Sequence, residues 1–335
     1  MAYDVKVHID LAQPIGQLGF GVPLILVENA DTPVEYTVVS NTDEMVKAGF
    51  NNASIAYKAA QLLYAQANAP KEIAVFATTE AATAALADAL LVDKGWRQLI
   101  VVSDDGTAST HTAISELVEK MDGKMYFAGM KADDGTVTTV SGLRRTILFY
   151  CTPTDECPVP VAALVGATAG RAAGSFTYKN LILYGVPAQD LTETEIAEIH
   201  KKGGITFVAK AGDNVTSEGK VAGGEYIDVI DSEDYIIQQL TYKTQKVLNN
   251  SSKVPYDNNG IALLESVAVD VLQSAYNNGM IVTNPDGTPG YSVSYDMRED
   301  TKETDRSKRV YLGGSFSFAL TGAIHEIEVT GSITV

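Results

Sequence analysis

Apolar and polar residues alternate one for one at both ends of this chain. Near the start Val5, Val7, Ile9 and Leu11 are interleaved with Asp4, Lys6, His8 and Asp10. Near the end Ile327, Val329, Ile333 and Val335 are interleaved with Glu326, Glu328, Ser332 and Thr334. Successive side chains of an extended strand point to opposite faces, so this pattern predicts a terminal strand with one buried face at each end. Chain ends are normally ragged and polar, so two committed terminal strands need a sheet to join, their own or a neighbour's. Gly16, Gly19 and Gly21 follow the first strand and read as a hinge, and Gly322 reads as its counterpart before the last. Phe316, Phe318 and Leu320 are in even register whereas residues 327–335 are in odd register. A slip of one residue flips every side chain, so the chain must bend between Leu320 and Ile327.

Between the arms, apolar runs at residues 24–27 and 36–39 predict strands. Helix and strand then alternate: helices over 52–67, 80–91 and around Ile114–Met121, with strands at 73–76, 99–102, 125–127 and 146–149. Strands separated by helices of this length indicate an α/β layer with a mostly parallel sheet. Pro153, Pro158 and Pro160 mark a change of character, followed by an Ala/Gly-rich helix over 161–173. Thr192 with Glu195 forms a capping box ahead of Ile196 and Ile199. A strand at 205–208, a Gly-rich loop over 212–224 and a strand at 226–230 come next, then helices over 232–249 and 259–277, a polar loop, and a strand at 315–320. The fold class expected is α/β plus α+β: an α/β outer layer over 22–160 and a C-terminal α+β core with a mixed sheet over 161–321. The arms are 1–21 and 322–335.

Charge narrows the function classes. With 25 basic and 42 acidic side chains the net charge is −17. Such a surface repels phosphate backbones and anionic lipid, so neither nucleic acid nor a membrane is expected as partner. No apolar run is long enough to span a bilayer, and the first residues lack the charged and apolar regions of a secretory signal. Cys151 and Cys157 are too few for a disulfide framework, and assembly in a reducing cytoplasm is expected.

Catalytic patterns are missing. The spacing of Gly16, Gly19 and Gly21 is wrong for a dinucleotide loop, and Gly219-Lys220 lacks the rest of a phosphate-cradling loop. No Gly-x-Ser-x-Gly elbow occurs, and His325-Glu326 has no second histidine four residues on. His8, His111, His200 and His325 are scattered. Asp104-Asp105-Gly106, Asp133-Asp134-Gly135 and Asp286-Gly287 read as turns. No enzyme, cofactor, catalytic residue or metal site is expected.

Several stretches of the second half, in order, resemble contractile tail sheath proteins of long-tailed phages and R-type bacteriocins. They are Gly170-Arg171 with residues 174–177, residues 224–230 followed by 234–236, the loop Lys253-Val254-Pro255-Tyr256 with Asn259-Gly260-Ile261, residues 278–281, residues 305–309, and Leu320-Thr321-Gly322-Ala323-Ile324-His325. The resemblance covers about residues 160–335. It implies identical subunits stacked as six-fold rings around a tail tube, with baseplate and tail terminator proteins as further partners. It also implies terminal arms that add strands to neighbouring subunits, and a metastable extended state that contracts without nucleotide hydrolysis. The final location would be a virion or bacteriocin tail.

Helix 259–277 sets Ile261, Leu264, Val267, Val271 and Leu272 on one side and Glu265, Asp270 and Gln273 on the other. Two readings of that polar side stand: a solvated face, or tube-facing charges at Glu265 and Asp270 that hold the extended state. Arg306 and Arg309 are the alternative lattice charges. Rival readings of the whole are a non-contractile tube or filament subunit joined by donated strands, and an α/β enzyme whose terminal strands complete its own sheet.

Overall fold

The computed structural model describes residues 21–102, 109–131 and 142–327. The chain divides into two compact units, Met1–Lys246 and Val247–Val335. The first unit is built on an eight-stranded sheet: β1 Val22–Val27, β2 Val34–Val39, β3 Ile73–Ala77, β4 Trp96–Val102, β5 Met125–Met130, β6 Thr146–Tyr150, β7 Gly204–Lys210 and β8 Asp213–Thr216. Their order is β2-β3-β1-β4-β5-β6-β7-β8. Neighbours from β3 to β7 run parallel, whereas β2 and β8 lie antiparallel at the two edges. The sheet continues across the composition change at residue 160, and the compact units divide further on, within the last turn of helix α8 (Ile227–Asn250).

Parallel strands need helical crossovers, so both faces of such a sheet are covered and its strands read as unbroken apolar runs. β6 is buried at every position. On one face Ile25, Val75, Ile100, Phe127, Ile147 and Phe149 pack with helices α2 (Ile55–Tyr64) and α6 (Val161–Ala169). On the other, Leu24, Leu26, Leu99, Tyr126, Leu148 and Tyr150 pack with α3 (Ala82–Ala87), α5 (Ser109–Val118) and Ile199 of α7 (Glu193–Lys201). Each such side chain taken from water contributes roughly 1.5–3 kcal/mol.

Several sequence expectations change here. The strand expected over 226–230 is reduced to an isolated bridge between Tyr226 and Lys220: residues 227–230 open α8, with Ile227 and Ile230 both buried in the core of the first face. Five apolar and polar residues fit a period of two and a spacing of three equally well, and tertiary packing selects the helix. The helix expected over 80–91 is broken by Asp88, whose extended backbone separates α3 from α4 (Ala89–Val92). Helix α1 (Thr42–Ala48), capped by the Asn41 side chain and closed by Gly49 at φ 114°, has no counterpart among the expected elements. The Gly-rich loop contains β8, joined to β7 by a tight turn in which Ala211 and Gly212 both have positive φ. Such a turn matches the right-handed twist of the hairpin it closes.

The second unit holds α9 (Asn258–Asn277), β9 (Tyr291–Tyr295), a 3-10 turn Arg298–Asp300, α10 (Glu303–Lys308) and β10 (Gly314–Phe318). β9 lies within the stretch expected as a polar loop, and it pairs antiparallel with β10 as a two-stranded sheet. The strand expected over 315–320 stops at Phe318, and Leu320 forms only a single bridge with Ile281. Gly322, between Leu320 and Ile327, has a positive φ of 63°.

Candidate assembly surface

The β9–β10 ladder is unlike the sheet of the first unit. Two strands alone are marginal in water and present two open edges, each a template for another strand. One face pairs Val293 with Phe316 and Tyr291 with Phe318, and Phe316 remains 42% exposed. The other face is wholly serine: Ser292 opposite Ser317 and Ser294 opposite Ser315. Ser292 Oγ and Ser317 Oγ lie 2.8 Å apart. Downstream, Ile324 and Ile327 are 84% and 81% exposed. Among the described residues this unit therefore leaves apolar surface uncovered beside unpaired strand edges, the combination that strand addition uses.

The loop before α9 is shaped by close approach. Asp257 caps the helix by accepting from Gly260 N at 3.0 Å. A Cβ at Gly260 would lie 1.9 Å from Pro255 O, so only glycine fits against this loop. Tyr256, Tyr311 and Tyr295 form a ring cluster, with Tyr256 edge-on to Tyr311 at 6.0 Å and Tyr295 stacked on it at 5.8 Å. Burial pushes the Tyr311 hydroxyl up to about 12, and it donates to Asp296 O.

α9 buries Ile261, Val267, Val271 and Leu272 as expected, while Leu264 is only half-buried. Its outer side is a shallow depression lined by Ala262, Glu265, Ser266, Val269, Asp270 and Gln273, with Glu265 half-buried and Asp270 exposed. Arg306 serves its own fold: its Nη1 donates to Arg298 O at 3.1 Å and to Thr301 O. Arg309 is exposed and closes α10 in a left-handed conformation at φ 59°. The arm residues Val5, Val7, Ile9, Leu11, Val329, Ile333 and Val335, with Gly16 and Gly19, lie outside the described residues. Gly21, at φ 82°, packs against Gly95, whose carbonyl would stand 2.7 Å from a Cβ placed there.

In the first unit the root of α8 is fastened to the sheet by charges that sequence reasoning did not single out. Arg97 Nη2 donates to Asp231 at 2.5 Å, Arg97 Nη1 to Asp234 at 2.7 Å, and Arg145 holds Asp234 through both its terminal nitrogens at 2.8 and 2.9 Å. Tyr178 OH donates to the second oxygen of Asp231 at 3.0 Å. Burial alone would raise Asp234, but the Arg145 hydrogen bonds and the two guanidinium charges outweigh it and hold its carboxyl below the usual range. The available signal was an arginine inside an apolar strand run, since buried charges must be paired. Cys151 and Cys157 are buried free thiols, pushed up by burial to about 12 and about 11. The Asp286-Gly287 pair is a turn, with Thr288 N donating to Asp286 at 3.0 Å. Asp104–Gly106 and Asp133–Gly135 lie outside the described residues.

Residues 227–333 match the family model of the E217 tail sheath protein gp31-like C-terminal domain. This stretch is similar to a tail sheath C-terminal domain. The match begins at the first residue of α8 and contains the whole β9–β10 ladder, so the matched stretch includes both the fastened helix and the two-stranded sheet. Solved sheath structures share the fold of the whole chain. The helical sheath of the anti-feeding prophage in its contracted state is 15% identical, with a TM-score of 0.72 over 99% of this chain and 98% of that one. The sheath complex of an extracellular contractile injection system, PVC, also contracted, is 11% identical, with a TM-score of 0.72 over 99% and 96%. A sheath tail protein from Listeria innocua is 12% identical, with a TM-score of 0.59 over 84% and 90%. A search of curated proteins returned no match.

Proposed function

We propose that this chain is the structural subunit of a contractile tail sheath. Copies stack as six-fold rings around a tail tube, held between baseplate and terminator, in a metastable extended state. Contraction drives the tube through a target envelope. The observation that carries this reading is the agreement of the fold with contracted sheaths over essentially its whole length, joined to a stretch similar to a sheath C-terminal domain, with strand edges unpaired among the described residues.

In this account residues 1–12 and 324–335 leave their own body and extend sheets in neighbouring copies. Main-chain hydrogen bonds contribute roughly 0.5–1.5 kcal/mol each, and alternate apolar side chains add burial. The joints persist while the bodies turn about Gly16–Gly21 and Gly322, and increased burial between bodies supplies the work. Glu265 and Asp270 serve as tube-facing charges, individually weak and salt-sensitive but repeated over many copies. Negative-stain imaging of the purified protein tests the whole reading. Long striated tubes or short hollow cylinders are expected. Compact uniform particles would overturn it in favour of an enzyme, and filaments of one fixed pitch in favour of a non-contractile subunit.

A further inference from the structure

The triplet Asn-Asn-Gly occurs twice, at residues 258–260 and 277–279, and the two copies bracket α9. At the start of the helix the triplet lies inside the first turn. Asn258 is engaged through both ends of its amide: Oδ1 accepts from Arg298 N at 2.8 Å, and Nδ2 donates to Glu299 at 3.2 Å. Gly260 is buried, and its N–H donates to Asp257 Oδ1. At the far end the triplet runs out of the helix. Asn278 and Gly279 are both exposed, and no hydrogen bond holds the Asn278 side chain among the described residues. Gly279, at φ 81°, donates to Tyr276 O at 2.9 Å and Met280 N donates to Ala275 O at 3.1 Å, the paired bonds that close a helix on a left-handed glycine. The residues that follow hold the chain just past β10. Thr321 N donates to Met280 O at 2.9 Å, Val282 N donates to Ala319 O at 2.9 Å, and Ile281 bridges Leu320.

We propose that Asn278-Gly279 is a site of spontaneous deamidation, and that the fold keeps Asn259-Gly260 intact. An asparagine followed by glycine is open to attack by the next main-chain nitrogen, because glycine has no Cβ to obstruct the approach. Gly279 N loses its proton and bonds to Asn278 Cγ. The Cγ–Nδ2 bond breaks, and ammonia leaves with that proton, giving a cyclic imide. Water then opens the ring at Cγ to leave an aspartate, or at the main-chain carbonyl to leave an isoaspartate. The first step needs Asn278 and Gly279 to leave the helical turn. Exposed ends open at far lower cost than turns locked by caps and packing, so the C-terminal copy reacts and the copy locked around Gly260 is protected. Both products place a carboxylate at the negative end of the α9 dipole. Isoaspartate also lengthens the main chain by a methylene beside Met280, whose carbonyl fixes Thr321. Ageing at this position therefore loosens the anchor of the segment that leads to Gly322. On the sheath reading proposed above, that segment carries the C-terminal arm.

Peptide mapping by mass spectrometry on the full, dispersed chain, incubated at mildly alkaline pH, tests the site. Conversion at Asn278 should be about tenfold or more faster than at Asn259, the ratio given by opening free energies about 1.4 kcal/mol apart. In strong urea the two copies should convert at nearly equal rates, because their local sequences match. Equal rates in the folded chain, a faster Asn259, or a ratio that survives urea would each overturn the proposal. Hydrogen exchange at Val282 and Thr321 gives a second readout. It should rise roughly two- to fivefold in the aged chain, the range that a charge at a helix end supplies, and stay unchanged in N278S aged alongside. Unchanged exchange in the aged native chain would overturn the loosening of the anchor. Neither readout requires a sheath to form, so failure here and failure of the sheath reading are distinguishable.

Discussion

Arg97 bonds to Asp231 and Asp234 across 134 and 137 residues of sequence, so one side chain closes a very long loop. Removing one member of a buried charge cluster leaves the others desolvated without compensation, so R97M should lose about 3–5 kcal/mol of stability. Urea unfolding followed by circular dichroism measures it, and a loss under 1 kcal/mol would show the cluster to be incidental. Lys124 gives a pH signature. It lies 4.4 Å above the Trp96 ring and donates to Lys94 O at 2.8 Å and Trp96 O at 2.5 Å. Burial, then the charge of Arg97, lowers it from 10.5 to about 7 against the pull of Asp93. The folded chain thus releases this proton near pH 7 and the unfolded chain only near 10.5, so the unfolded state binds more protons between them. Stability should therefore rise with pH across that window, by at most about 1.4 kcal/mol per pH unit and less with solvent screening. Unfolding free energies at pH 7.5 and 9 should differ in the native chain, and the difference should shrink in K124M.

A bulge on β4 shows how an element re-aims its residues. Val22 pairs with Trp96 and Leu24 with Leu99, so β4 advances by one more residue than β1. Trp96 and Leu99 consequently face the same core, although an odd spacing on a regular strand would part them, and Arg97 is released toward Asp231. Helix α6 is set by Gly166, where a Cβ would stand 2.2 Å from Leu63 O on α2. Ala at that position raises helix propensity but forces the two backbones apart. G166A should therefore destabilise by about 1–3 kcal/mol, read as a lower urea midpoint, whereas a neutral or stabilising effect would refute the close packing. The Thr192 capping box was fully legible in advance because its partners are local: Glu195 N donates to Thr192 Oγ1, and Thr192 N to Glu195 Oε2. The bulge left no such trace, since its partner strand lies far away in sequence.

Across the molecule, the two compact units divide labour. The first supplies a doubly covered sheet whose inner strands are hidden, and the second a two-stranded ladder whose edges pair with no further strand among the described residues. Deleting residues 1–12 or 324–335 should abolish polymerisation while leaving a folded chain, checked by sedimentation together with circular dichroism. Normal sheaths from either truncated protein would rule out strand donation by that arm. Charge reversal at Glu265 and Asp270 should weaken tube attachment in a co-sedimentation assay at low salt, and unchanged attachment would remove those residues from the tube contact.

Local chemistry, read from the sequence alone, determined the alternating α/β elements, the capped helix at Thr192, the bend before Ile327 and the resemblance to sheath proteins. Each depends on residues a few positions apart, where side-chain period and capping are already specified. Only tertiary structure decided that residues 227–230 open a helix, that β8 and β9 form within polar stretches, and that Arg97, Arg145, Asp231 and Asp234 meet. Those outcomes turn on which distant surface buries a short ambiguous run or pairs a lone charge. Solvent exclusion and hydrogen-bond satisfaction are properties of the packed whole.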